Sequence, residues 1–346
     1  LDLRLAAYRG GGISRYAREL RAALANDPDL TVLPLRSRND PTADSAALHL
    51  RTPPHHRVEN WSVPIELAVH RRRADVYHAP DFIAPHLPGM SVVATVHDLA
   101  FLDWPRDLAP DALRYYRQLA RSVHRTAAFI VPSEWTAAQL SERYGVAPAA
   151  IHVIPHGVSL NLLRQPVVPR DRRGDFLLAV GTVEPRKRYD LLLDVHSADL
   201  STPQLIIAGA PGWNSAATET RIAASPRVMW ERAPDDDRLA WLYRHALALV
   251  IPSRAEGFGL PALEAMAVGT PVVSSGGGAL GEVTGDAALT VPGADPRAWA
   301  TAIHSIVEDS VAWQTLSNAG RARAAEFSWQ SAAEQTAAVY RSVARD

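Results

Sequence analysis

At 346 residues, 47% of them apolar and 21% charged, the chain has material for two domains with sizeable cores, and global disorder is excluded. A formal net charge of -1 gives no electrostatic case for nucleic acid as a partner. The lack of cysteine excludes disulfides, thiolate metal sites and a cysteine nucleophile, and agrees with a reducing cytoplasm. No apolar run reaches about 18 residues and no signal peptide is visible, although opening on Leu1 rather than Met leaves an N-terminal signal open.

Taken in order, Leu1 to Ala6 read as a strand, followed by Tyr8-Arg9-Gly10-Gly11-Gly12-Ile13 and a helix capped by Ser14 that runs to about Ala25. Strand, glycine turn, helix is a phosphate-approach arrangement, but it is not a GxGxxG fingerprint, and a plain turn is the alternative. Leu30 to Leu35 read as a second strand. From Arg36 to about Ser62 the chain is polar and aperiodic, a substrate loop or a mobile one. Strands then recur at Asp75–His78, Val92–His97, Phe129–Pro132 and Ile151–Pro155, with helices at Asp111–Thr126 and Trp135–Tyr144. The pattern halts at Pro155-His156-Gly157, and Leu163 to Arg173 reads as a linker. Alternation restarts with strands at Phe176–Val180, Gln204–Ala208, Arg227–Trp230, Ala248–Ile251, Pro271–Ser274 and Ala288–Val291. Strand alternating with helix implies parallel sheets covered on both faces, so the expectation is two doubly wound α/β domains with ligand at the carboxyl ends of their strands. A final helix to about Ala344 has an apolar face of Ala333, Ala337, Val339, Tyr340 and Val343.

The stretch VIPSRAEGFGLPALEAMAVGTPVV, Val250 to Val273, organises the second half. Gly257 and Gly259 bracket Phe258 and let a ligand come close to the backbone. Pro261 suits a first helical turn, and Gly269 stops that helix after about two turns. Amides of Phe258, Gly259 and Leu260 at a helix start suit phosphate. Glu256 and Glu264 frame the loop and suit the hydroxyls of a ribose and of a sugar. Upstream, Arg186 and Lys187 precede a helix starting near Asp190 and match a diphosphate. Lys187 is the only lysine among 36 basic residues. An arginine bias that spares one lysine points to a site needing a compact ammonium, against the alternative of a solvated turn.

His97, beside Asp98 at a strand end, can bond a sugar hydroxyl or move a proton, or simply satisfy a backbone group. His78 suits packing. Asp235-Asp236-Asp237 has the DxD form of a metal site, but its place at a helix start favours capping. The thirteen histidines show no HExxH-type spacing, so no metal is expected. Gly276-Gly277-Gly278 reads as a turn that lets the donor approach, with Glu282 bonding a loop amide. Arg71-Arg72-Arg73 reads as a solvated helix end, and nearby Trp61 leaves room for contact with a membrane surface.

With these residues in hand, the sequence resembles the GT-B-fold retaining glycosyltransferases of family four, the mannosyltransferase-like group. The matching segments are GGGISRYARELRAAL, TVHDLAFLDWP, VPSEWTAAQL and VIPHGV in the first half. In the second they are VGTVEPRKRYDLLL, PSRAEGFGLPALEAMAVGTPVVSS, EVTGDAAL and FSWQSAA. Glu256 and Glu264 form the family's E-x7-E motif. The resemblance implies two Rossmann-like domains facing each other across a cleft. An acceptor-binding domain would span residues 1–160 and a nucleotide-sugar domain 170–329, with the helix 330–346 packing back on the first. It implies that Gly11 and Gly12 approach the donor diphosphate and that Lys187, with Arg186, neutralises it. Glu264 would hold the ribose, Glu256 the transferred sugar, and His97 that sugar from the first domain. The implied reaction is retaining transfer of a hexosyl unit, mannose favoured, from a donor such as GDP-mannose or a UDP-sugar. The acceptor would be a glycan or lipid-linked intermediate in polysaccharide biosynthesis. No metal or other cofactor is expected, and the place is the cytoplasm or the cytoplasmic face of a membrane. The alternatives are a sugar-nucleotide epimerase, a phosphorylase, or a non-catalytic nucleotide-sugar-binding subunit. Two positions depart from the pattern: Thr182, where arginine is common, and Glu231-Arg232, where a glycine near the nucleotide base is common.

Overall fold

The computed structural model describes residues 1–7, 11–38, 40, 47–54, 56, 58–68, 74–81, 84–159, 162 and 164–344. The readings placed on Tyr8-Arg9-Gly10 and on Arg71-Arg72-Arg73 fall outside them. The chain forms two Rossmann-like α/β units. Unit 1 comprises residues 1–99, 110–157 and 329–346, and unit 2 comprises 100–109 and 158–328. The segment 100–109, which falls in the first half of the sequence, therefore belongs to unit 2.

Unit 1 holds a parallel sheet in the order β3 (Val76–Ala79), β4 (Ser91–Thr95), β5 (Ala128–Val131), β6 (Ile151–Val153). A parallel pair of β1 (Leu35–Ser37) and β2 (Leu48–Leu50) joins it through Asp2, which bridges Leu35 and donates its N–H to His78 O at 3.0 Å. Leu1 to Ala6 is not a strand beyond that bridge. Arg4 is 1% exposed, and its guanidinium reaches Asp2 and Glu59 at 2.6 Å each. Asp2 also accepts the Arg4 N–H, so the chain turns into a 3-10 helix at Arg4–Ala7. Ser14 lies buried inside the helix Gly12–Leu24 rather than capping it. Strand β1 starts after Pro34, which has no N–H to give a ladder. The stretch read as one helix from Asp111 to Thr126 is broken into Pro110–Tyr116, Leu119–Ser122 and a 3-10 turn, with Gln118 between them bonding Asn60 at 2.6 Å.

The helix Trp329–Val343 packs in unit 1. Its Trp329, Ala333, Ala337 and Tyr340 share a core with Tyr16 and Leu20 of the first helix and with Val93, Ala128 and Ile130 of the sheet. Ser91 Oγ also donates to Val343 O at 2.5 Å.

Unit 2 holds six parallel strands in the order β12 (Leu289–Thr290), β11 (Val272–Ser274), β10 (Ala248–Ile251), β7 (Phe176–Val180), β8 (Gln204–Ala208), β9 (Val228–Glu231). Successive side chains of a strand point to opposite faces. Thus Leu178, Ile206, Ala208, Leu249 and Ile251 enter one core, while Leu177, Ala179, Leu205, Ile207, Ala248 and Val250 enter another. Burial on both faces is why these strands are unbroken apolar runs. Arg173, read as linker, is a clamp of unit 2: it bonds Thr270 Oγ1 at 2.6 Å and Ala246 O at 2.9 Å and lies over the Trp313 ring.

Candidate functional site

In unit 2 the strand order reverses between β7 and β10, and in an open parallel sheet a crevice forms beyond the carboxyl ends at such a point. The loops leaving these two strands carry Arg186 and Lys187, and Glu256. After β7, Gly181 and Tyr189 flank the lysine stem, and a Cβ on Gly181 would sit 3.1 Å from Lys187 Cε. Pro185–Lys187 form a 3-10 turn, and Arg188 (φ 53°) bends the chain into the helix Tyr189–Ala198.

Lys187 Nζ donates to Glu256 Oε1 at 2.7 Å, and the two residues are 9% and 8% exposed. Arg186 Nη1 donates to Glu256 Oε2 at 3.1 Å and to Ala255 O at 2.8 Å, while its Nε and Nη2 are both held by Glu184 Oε1. Burial pushes the Glu256 carboxyl up, but the Lys187 ammonium and the Arg186 guanidinium outweigh it and hold the group at about 2. Glu256 is thus an ionised carboxylate and too weak a base to take a proton near neutrality. The three side-chain nitrogens of Arg186 are engaged with Glu184, Ala255 and Glu256, so it ties the β7 loop to the β10 loop. Its own carbonyl strengthens that tie by accepting the Arg254 N–H at 2.9 Å.

The glycine turn after β11 packs closely on the loop that carries Glu256. A Cβ on Gly277 would lie 2.3 Å from Arg254 O, and one on Gly278 would lie 2.4 Å from Glu256 O. The close approach these glycines allow is therefore to the Glu256 loop. Ala279 N–H bonds Glu256 O at 2.8 Å, and Glu256 N–H bonds Gly277 O at 3.2 Å. Glu282 stands exposed in the following helix, Leu280–Thr284.

Beyond Glu256, Phe258 turns inward against Phe327, and Gly259 (φ 107°) caps the helix Leu260–Ala267 with Pro261 in its first turn. In that turn Ala262 and Leu263 N–H close on Gly259 O at 2.9 and 3.4 Å, and Pro261 has no N–H. Glu264, one turn in, is buried and accepts the Tyr243 hydroxyl at 2.8 Å through Oε2. Gly269 (φ 73°) follows the helix, its N–H closing on Met266 O at 2.9 Å. Asp235 caps the helix Asp236–His245 by accepting the Arg238 N–H at 2.7 Å. Asp235 therefore has a structural use, and Asp236 and Asp237 stand in the helix's first turn. Among the described residues no group of three or more His, Asp or Glu side chains is arranged to hold a metal ion. At the end of β9, Arg232 lies 3.9 Å above the Trp230 ring and Glu231 pairs with Arg238 at 2.5 Å.

In unit 1, Gly11 and Gly12 open the first helix, both exposed, with no atom within 4 Å of an added Cβ. His97 follows β4. Its Nε2 lies 2.7 Å from Pro80 O and its Nδ1 lies 3.2 Å from His156 Nε2. Burial lowers its pKa, so the ring is neutral. His78 is a packing residue, bonding Tyr340 Oη at 2.5 Å and Thr95 Oγ1 at 2.7 Å, and burial lowers it to about 3. Lys187, Arg186 and Glu256 are thus brought together in unit 2, with Glu264 on the adjoining helix, while His97, Gly11 and Gly12 belong to unit 1. Sequence reading passed over Glu184, Tyr243 and His156. The last stood in a quoted motif, VIPHGV, and was taken only as a halt in the strand pattern.

Residues 10–162 match the family model described as Glycosyltransferase Family 4, and residues 174–309 match the one described as Glycosyl transferases group 1. O-antigen chain mannosyltransferase B of Escherichia coli is 30% identical over 284 residues, covering 77% of this chain and 74% of that one. A D-inositol 3-phosphate glycosyltransferase of Acidothermus cellulolyticus is 31% identical over 73% of this chain and 62% of its own. The MMP alpha-(1->4)-mannosyltransferase of Mycolicibacterium hassiacum is 32% identical over 73% of this chain and 65% of its own. Among solved structures, sucrose-phosphate synthase from Thermosynechococcus elongatus superposes with a TM-score of 0.78 at 24% identity, covering 96% of this chain and 94% of that one. WaaG, a glycosyltransferase involved in lipopolysaccharide biosynthesis, gives 0.77 at 17% identity, covering 96% and 97%. Both likenesses are of fold. The two Rossmann-like units, the paired loops at the sheet's reversal point and these matches together make the chain a member of the GT-B-fold, family 4 (group 1) glycosyltransferases.

Proposed function

We propose that this glycosyltransferase moves a hexosyl unit, mannose before others, from a nucleoside diphosphate sugar to a hydroxyl of a glycan or lipid-linked acceptor, with retention at the anomeric carbon. The observation that carries the reading is the Lys187–Glu256–Arg186 network at the reversal point of the unit 2 sheet. Mannose is favoured because two of the similar proteins are named mannosyltransferases, one of them for an O-antigen chain, which also suits a role in polysaccharide biosynthesis. The D-inositol 3-phosphate glycosyltransferases are the competing guide to acceptor and sugar.

In this reading Lys187 and the amides of Phe258, Gly259 and Leu260 receive the diphosphate, with Gly11 and Gly12 near it. Arg186 keeps Glu256 and Lys187 in register. Glu264 holds the ribose, and Glu256 and His97 hold the transferred sugar. The bond from the anomeric carbon to the leaving phosphate oxygen breaks, and the acceptor oxygen bonds the same face. The acceptor proton goes to the departing phosphate, because a carboxylate held at about 2 does not take it. Lys187 supplies the charge stabilisation for the leaving group without a metal ion.

Among the described residues no helix is long and apolar enough to cross a membrane. Trp61 and Ile65, 78% and 72% exposed on the helix Glu59–Ala68, support peripheral contact with a membrane at its cytoplasmic face, where a lipid-linked acceptor would lie. The test is a panel of GDP-, UDP- and ADP-sugars, read first by thermal shift and then by transfer to glycan and polyprenyl-type acceptors. Lys187→Ala should reduce turnover by at least ~10²-fold with the fold retained, as for other lost charge-stabilising groups. Undiminished turnover would remove Lys187 from the reaction.

A further inference from the structure

Glu264 points from the helix Leu260–Ala267 and is 5% exposed. The last torsion of a glutamate has a broad minimum, so its rotamer alone does not fix the plane of the carboxyl group. Here a neighbour from another helix does so: the Tyr243 hydroxyl donates to Glu264 Oε2 at 2.8 Å. Tyr243 is itself held on two sides. It is 1% exposed, and its ring lies in the core that also takes Leu249, Leu263 and Ala267. Its carbonyl accepts the Thr270 hydroxyl at 2.5 Å, and Thr270 Oγ1 in turn accepts from Arg173 Nη1 at 2.6 Å. The same guanidinium holds Ala246 O and Gly269 O at 2.9 and 3.2 Å. The series Arg173, Thr270, Tyr243, Glu264 thus joins the end of the helix Asp236–His245 to the stop of the Glu264 helix, and it finishes on one carboxyl oxygen. Packing alone does not call for it, since an apolar pair of the same shape would fill the space as well.

We propose that Tyr243 is a positioning residue for Glu264: its hydroxyl fixes the plane of that carboxyl group, and so the direction from which the ribose hydroxyls of the donor are received. The inference rests on the reading above, in which Glu264 holds the ribose. A carboxylate has about four lone-pair directions over its two oxygens, and a pair of neighbouring hydroxyls must meet them at a set spacing. A bond to Oε2 from a fixed phenol orients the rest. Without it the carboxyl group turns about its last torsion, and the affinity that comes from the ribose hydroxyls falls. The base and the diphosphate are held by other groups and keep their contribution.

Titration calorimetry on the full chain tests this, with GDP, UDP and ADP each measured against its 2′,3′-dideoxy counterpart. For the base that binds, the parent should prefer the ribonucleotide by at least ~10-fold, in line with two hydrogen bonds to a carboxylate. Tyr243→Phe removes one oxygen and keeps the ring. It should reduce that preference by at least ~3-fold, the worth of a modest hydrogen bond, while the dideoxy compound binds as it does to the parent. A tyrosine that only packs would weaken both ligands alike or lower the melting temperature, and would leave the ratio where it was. An unchanged ratio in Tyr243→Phe, beside a ratio lost in Glu264→Ala, overturns the proposal. A ratio that survives in Glu264→Ala, or is absent from the parent, removes Glu264 from the ribose and takes down the reading on which the proposal rests.

Discussion

Glu256→Gln keeps the volume of the side chain and removes its charge, leaving Lys187 and Arg186 facing a neutral amide in a buried site. A carboxyl that ionises at about 2 in the folded protein and at 4.5 in the unfolded chain contributes ~3 kcal/mol at neutral pH. The cost of breaking a buried pair from one side has the same size, ~3–5 kcal/mol. The sign follows from the depressed folded pKa. The stabilisation is complete above the unfolded value of 4.5 and is lost as pH falls towards about 2. About half of it is gone by pH ~3.5. Urea unfolding of both proteins, followed by tryptophan fluorescence, should give a stability gap of ~3 kcal/mol at pH 7 that narrows to roughly half at pH ~3.5. Taking the gap between the two proteins cancels the other acid-labile groups. A nucleoside diphosphate, by restoring anionic charge, should raise the melting temperature of the variant more than that of the parent. A gap that is absent at pH 7, or equal at both pH values, would refute the ionised Glu256 and with it the proton routing proposed above.

Three further expectations concern the supports of the site. Gly278→Ala puts a methyl 2.4 Å from Glu256 O at φ +67°, and should cost more than ~2 kcal/mol and reduce turnover; Gly145→Ala, at φ +65° with open space around it, should cost only ~1 kcal/mol and leave turnover alone, both read by denaturant midpoint and transfer rate. Asp235→Ala should lower stability by ~1 kcal/mol through loss of the helix cap with turnover unchanged, whereas loss of turnover would revive the aspartates as a working group. Trp61→Ser with Ile65→Ser should weaken co-sedimentation with anionic vesicles without changing the melting temperature; equal binding would discount the helix as a membrane contact.

The strands of unit 2 were legible because a central parallel strand must be apolar on both faces, as Phe176–Val180 and Ala248–Ile251 are. The first strand misled for the converse reason. LDLRLA alternates like a strand, but Arg4 finds Asp2 and Glu59 in the interior, and Glu59 lies 55 positions further along the chain. Glu256, Lys187 and Glu264 could be singled out because their residue types are conspicuous beside a glycine loop. The occupation of Arg186 could not, since a guanidinium's partners are set by where loops from two strands converge. The glycines at 277 and 278 announced a close approach but not its object, which is the neighbouring loop's backbone. His156 was invisible as a partner for the same reason: 59 residues separate it from His97.

The last helix has a consequence for how the protein is made. Trp329–Val343 completes the core of a unit whose other segments end at Gly157, and all of residues 158–328 lie between. On the ribosome, where chains emerge amino end first, unit 2 has its strands complete while Tyr16, Leu20, Val93 and Ile130 still lack their cover. Unit 1 must wait with an open apolar face until residues 329–343 have been made. A nascent chain stalled after Ser328 should therefore be a client of folding chaperones in its first half and native-like in its second.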